Sequence, residues 1–159
     1  MQDTKKELGP LHCLYFIYYS FTKNTDENHN NSQIHKIITY LNEWTKDVKT
    51  SEAIISETMD WIQETKLSQH ESLNTMVSMV DYLNKENTFS LIQKEFILLN
   101  IREIARSDGD FSEIEKKYHD LLSFHFGLSL RVSACSKQEI KEAAQKVERK
   151  KIGFKISRN

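Results

Sequence analysis

The chain has 159 residues, a length that suits one domain around one hydrophobic core. With 38% hydrophobic and 28% charged residues it is too apolar for a disordered chain and too polar for a membrane-embedded one, and no apolar run approaches the roughly 20 residues that span a bilayer. The net charge of -1 gives no general case for nucleic acid as a partner.

Four glycines and one proline are too few for a turn-rich β sandwich or barrel, which leaves helices. Cys13 and Cys135 stand far apart with no CxxC pair, so the expectation is two reduced thiols. The N-terminus carries acids, and no small-residue cleavage site follows the apolar run Leu11 to Phe21. A secretory leader is not expected, and the expected location is cytoplasmic or peripheral to a membrane.

Seven helices are expected in chain order. The first, about Leu8 to Asn24, is apolar almost all round and should be central. A polar loop with Asp26 follows. Asn30 and Gln33 have capping-box spacing before a helix carrying Ile34, Ile37, Ile38, Leu41 and Trp44. The third, about Thr50 to Lys66, turns Ile54, Ile55, Met59 (or Thr58), Trp61 and Ile62 to one face. Ser68 and Glu71 open the fourth, with Leu73, Met76, Val77, Val80 and Leu83 as its stripe. The fifth starts near Asn87 or Thr88, runs to Arg106, and is apolar widely enough to be a second buried helix. Ser112 and Glu115 cap the sixth, which carries Tyr118, Leu121, Leu122 and Phe126 and ends at Gly127. Ser136 and Glu139 cap a tail helix to about Lys150. The fold class is therefore an all-α helical bundle over 8–130, followed by a basic C-terminal helix and tail over 131–159.

Charge is uneven along this plan. Residues 136–159 hold eight Lys/Arg against three Asp/Glu, a net of +5, so the body carries -6. The tail cations Lys146, Arg149, Lys150, Lys151, Lys155 and Arg158 suit an anionic membrane surface, although Glu139, Glu142 and Glu148 among them also fit a solvated helix.

Two stretches share one plan. Leu14 to Trp44 and Phe96 to Phe126 each read as a buried helix, a polar loop with an aspartate, and an amphipathic helix ending in aromatics. Asp26 and Asp108 are 82 residues apart. The second loop runs Ala105-Arg-Ser-Asp108-Gly109-Asp110-Phe111-Ser112-Glu113-Ile114-Glu115. Gly109 can take the left-handed conformation that stops a helix, Ser112 and Glu115 can restart one, and Asp108 and Asp110 sit where a helix N-terminus favours negative charge.

The pattern Ala-x-x-Asp-Gly-x-x-x-x-x-Glu, carried by Ala105, Asp108, Gly109 and Glu115, resembles the signature of the TerB-like (tellurite-resistance) domains. The resemblance covers about Leu11 to Leu130. It implies an all-helical bundle of two pseudo-symmetric helix–loop–helix halves. It also implies a bacterial stress or tellurite-resistance setting, no known catalytic chemistry, and acidic loops suspected of binding metal. The first half departs from the pattern, with Glu27 where the family has Gly and Gln33 near its Glu.

The metal-ligand candidates are thus Asp26, Asp108, Asp110 and Glu115, hard oxygen donors suited to a divalent cation such as Ca²⁺. Ala105, Gly109 and Ser112 form the structural part of the motif. The same residues also make a helix turn tied by its cap and dipole, with no metal. Glu115 and His119 share a helix face at a spacing that can hold a transition metal but more often marks a solvated contact. His12 is expected in the core. Tyr15, Tyr18, Tyr19, Trp44 and Trp61 can pack the core or line a pocket. No GxSxG, P-loop, GxGxxG or HExxH occurs. The expected function is a non-enzymatic binding module, with a cation at the second loop or with none, whose partner is another protein or an anionic membrane surface.

Overall fold

A computed structural model describes residues 8–25, 31–85, 89–107, 109 and 111–147. Among them are seven helices and no strand: α1 (Pro10–Thr25), α2 (Asn31–Thr45), α3 (Val48–Thr65), α4 (Gln69–Lys85), α5 (Leu91–Arg106), α6 (Glu113–His125) and α7 (Lys137–Gln145). The chain is an all-α helical bundle.

Helix α1 is its axis. It packs against α2, α3, α4, α5 and α6, and a helix ringed by five others must be apolar on every side. Leu14, Phe16, Ile17, Tyr18 and Phe21 are accordingly buried, and the rings of Phe16 and Trp61 meet edge to face at 5.6 Å. At its centre the Tyr18 hydroxyl accepts from Trp44 Nε1 at 3.2 Å and from Asn100 Nδ2 at 2.7 Å, joining α1 to α2 and α5.

The caps follow local chemistry. Ser112 and Ser136 each accept from the backbone N–H three residues on, while Glu115 and Glu139 reach back to the capping residue's N–H. Gly127, at φ +78°, closes α6. Its N–H donates to the Phe124 carbonyl, and the Leu128 N–H donates to that of Ser123, a Schellman pair. Two starts differ from expectation. Asp47 caps α3 at Val48, and a Ser90–Gln93 box begins α5 at Leu91. Asn30, the capping residue of the expected Asn30–Gln33 box, lies outside the described residues.

The second helix buried nearly all round is α4 rather than α5. Residues 74–80 are buried without a break. In α5, Ile97, Leu98, Ile101, Ile104 and Ala105 face the core, but Leu91 (60%), Ile92 (67%), Phe96 (52%) and Leu99 (38%) are exposed. The physical reason is placement. Its helix neighbours α1, α2 and α6 lie against the other face, and no described helix covers this one.

Candidate functional site

The turn between α5 and α6 is where the sequence motif falls. Ala105 is fully buried in α5. Past it, Ser107 folds back, its N–H and Oγ–H both donating to the Ile104 carbonyl. Gly109 stands at φ +92°, with its N–H donating to the Arg106 carbonyl at 2.9 Å. Ser112 then accepts from the Glu115 N–H at 3.2 Å, and Glu115 Oε1 accepts from the Ser112 N–H at 3.0 Å. Gly109 and Ser112 thus stop one helix and start the next. Glu115 is 4% exposed, with one carboxylate oxygen on that cap. Asp26, Asp108 and Asp110 lie outside the described residues. Among the described residues no group of three or more His, Cys, Asp or Glu side chains is placed to hold a metal ion.

Phe111 anchors the turn. The Arg106 guanidinium and the Lys116 ammonium stand over its ring, at 5.4 and 5.7 Å from the centroid. The His119 ring meets it edge-on at 6.5 Å.

His119 overturns the expectation of a solvated Glu115–His119 contact. It is fully buried. Its Nε2 lies 2.9 Å from Arg102 Nη1, and its Nδ1 lies 3.0 Å from Asp120 Oδ1. A guanidinium can only donate, so Nε2 accepts and Nδ1–H donates to Asp120. Burial pushes the imidazole below its usual pKa. The neighbouring Asp120 opposes this, and the Arg102 and Arg106 charges add to it, so the ring is neutral.

Asp120 is the anchor of this group. Its carboxylate accepts from the Val132 N–H at 2.8 Å, the Ser133 N–H at 2.9 Å and the Ser133 hydroxyl at 2.5 Å, besides His119. Burial alone would raise its pKa, but the hydrogen bonds from Ser133, His119 and the two backbone amides outweigh it and hold the carboxyl below the usual range. One buried carboxylate thereby fastens the 127–136 connection to α6, and α7 follows it onto the same helix. Arg102, His119 and Asp120 were not singled out from the sequence as a group. For His119 the signal is the stripe 115, 119, 122, 126, which ends in Leu122 and Phe126 and so turns Glu115 and His119 inward; Arg102 and Asp120 join it only through the fold.

The remaining candidates divide. His12 is largely buried, as expected, with Nε2 3.4 Å from Glu57 Oε1 and Nδ1 accepting from the Gly9 N–H. Tyr18, Trp44 and Trp61 pack in or against the core. Tyr15 and Tyr19 also pack there, and with Ile34, Ile38, Ile55 and Met59 they line a surface groove of about 440 Å³ between α1, α2 and α3. The tail cations beyond residue 147 lie outside the described residues. No family model, no curated protein and no solved structure matches the chain.

Proposed function

We propose that this protein is a non-enzymatic interaction module of the TerB-like kind, and that it works as a pair of copies joined along α5. The observation that carries this reading is the uncovered apolar face of α5. Ile92, Phe96 and Leu99 follow i, i+4, i+7 spacing, so they form one stripe, with Leu91 at its flank. A patch of this kind on a soluble domain marks an interaction surface. It is also self-complementary. Two α5 helices run antiparallel about a two-fold axis between Glu95 and Phe96 would set Ile92 of each against Leu99 of the other, as an isologous interface requires.

Two arrangements support the TerB-like part of the reading. Packing of α1 on α6 is matched by packing of α2 on α5, as halves offset by 82 residues would give. Tyr18 and Asn100, 82 positions apart, meet in a hydrogen bond. With that resemblance comes a setting in bacterial stress or tellurite resistance.

Sedimentation velocity from about 1 to 100 µM tests the proposal. Wild type should shift from monomer to dimer with concentration. Phe96→Asp should stay monomeric and, at concentrations where wild type is also monomeric, keep its thermal midpoint, because Phe96 is already half exposed. A wild type that is monomeric throughout the range refutes the pairing.

A further inference from the structure

We propose that the cleft between α4, α6 and α7 seats the chain's own C-terminal segment, Ile152 to Ile156, laid extended along α6 with one of its backbone N–H groups on Asn74 Oδ1. The cleft arises from packing. Both α4 and α7 lie on α6, but among the described residues they do not pack on each other, so a channel of about 280 Å³ runs between them. That volume suits side chains rather than single waters. Its floor is one face of α6, with Ile114, Lys117, Tyr118 and Leu121 at i, i+3, i+4, i+7, and Leu73 of α4 makes an apolar wall. Ile114 is left 50% exposed on that floor.

Three observations select the occupant. The first is where the chain leaves α7. The Lys146 and Val147 N–H groups donate to the Ala143 and Ala144 carbonyls at 3.2 and 3.3 Å, a tightened last turn, and Val147 itself lines the cleft. The continuation therefore starts inside the cleft. The floor from Ile114 to Leu121 is about 10 Å long at the helical rise, and residues 148–151 reach about 13 Å when extended, enough to double back along it. The second is the pattern of Ile152-Gly153-Phe154-Lys155-Ile156. Laid extended, it turns Ile152, Phe154 and Ile156 to one face and Lys155 to the other, which fits a channel with an apolar floor and an open mouth. The third is Asn74, 1% exposed, which lines the same cleft. Its Nδ2 lies 3.3 Å from His70 Nε2, while its Oδ1 is buried with no hydrogen-bond partner. Apolar side chains alone would leave that oxygen unserved. An extended backbone brings a row of unpaired N–H donors along its edge.

Charge is compatible with this seating. Lys117 and Lys146 line the cleft, and as exposed lysines they hold their ammonium groups in water and offer the channel their alkyl stems. Arg149, Lys150 and Lys151 fall in the connection, also in water, where salt screens their repulsion from the two lysines beyond about 8 Å, and Glu148 opens that connection with the opposite sign. A connection this short sets an effective concentration in the millimolar range, which favours the chain's own segment over that of a second copy.

The experiment is NMR on the full chain. In wild type the side chains of Ile152, Phe154 and Ile156 should show nuclear Overhauser contacts to Leu73, Tyr118 and Leu121. One amide within 152–156 should exchange with solvent at least about tenfold more slowly than an unprotected amide. Ile152→Asp/Phe154→Asp, confined to the segment, should abolish those contacts, free the amide and move the signals of Asn74, Tyr118 and Leu121. Asn74→Leu removes the acceptor and should speed exchange of the protected amide by a similar factor. Its melt reports whether the fold survives, and the double variant tests the seating if it does not. The proposal is overturned if every amide of 152–156 exchanges freely, or if the contacts run to Ile34 and Met59 of the α1–α3 groove. It is overturned equally if they appear only between chains in a mixture of isotope-labelled and unlabelled protein, where a second copy supplies the segment. It also fails if folded Asn74→Leu leaves the exchange unchanged.

Discussion

Replacing Asp120 by alanine is the most demanding test of how the C-terminal part is held. The carboxylate is 1% exposed and receives four hydrogen bonds, from His119 Nδ1, the Val132 and Ser133 amides and the Ser133 hydroxyl. Hydrogen bonds to a charged group contribute about 1.5–3 kcal/mol each in isolation, but four on one carboxylate do not add. Removing one member of a buried charged network costs roughly 3–5 kcal/mol, because the partners are left unpaired. At about 2–4 °C per kcal/mol for a chain of this size, the midpoint should fall by on the order of 10 °C. Thermal and urea melts followed by circular dichroism measure it. Ser133→Ala removes the hydroxyl's bond to Asp120 and the bond it accepts from the Cys135 N–H, and should cost about 1–2 kcal/mol. In the double variant the Ser133 change should cost less, only what the Cys135 N–H bond contributes. An Asp120→Ala cost below about 1 kcal/mol would show that the 127–136 connection is held by other contacts, and the anchoring argument would fail.

Acid should destabilise the protein before its carboxylates titrate. The folded state keeps His119 neutral below its usual pKa of 6.5, so the unfolded chain binds more protons there. This stability is complete above about pH 6.5 and is lost as pH falls, by at most about 1.4 kcal/mol per unit. His12, lowered mainly by burial, acts in the same direction, and Asp120 adds to it below 3.8. Urea melts at about pH 7.5 and 5.5 should show the decline, and a protein equally stable at both contradicts it. Tyr18→Phe strands the Trp44 and Asn100 donors and should cost about 2–3 kcal/mol in the same melts, whereas a neutral result would mean the hydroxyl is dispensable. Burial pushes the Cys13 thiol up to about 12, so iodoacetamide should label Cys135 alone in the folded protein and both cysteines in urea. Ser112→Ala should cost about 1 kcal/mol through loss of the α6 cap; no change in midpoint would remove the capping role.

Helix number and order were written in the sequence because they depend on local rules. The serine–glutamate boxes at 68, 112 and 136, the glycines 109 and 127, and the 3.6-residue periodicity act within a few residues of themselves, and no distant contact is needed to read them. The centrality of α1 was legible for a related reason, since a helix apolar all round has to be surrounded. Tertiary structure decided which other helix shares the core. By composition α5 looked buried and α4 striped, yet burial depends on how closely the neighbours enclose a helix: α4 lies along the central α1, whereas the three helices packed on α5 leave one of its faces open. The same holds for the site residues. Ser112 and Glu115 form their cap by sequence spacing alone, whereas the Arg102–His119–Asp120 group joins α5, α6 and a connection a dozen residues further on. The α4–α6–α7 cleft exists because two helices share a neighbour without touching. Spacing along the chain encodes what one helix does to itself; only the folded arrangement brings Asn74, Lys117 and Lys146 to one cavity.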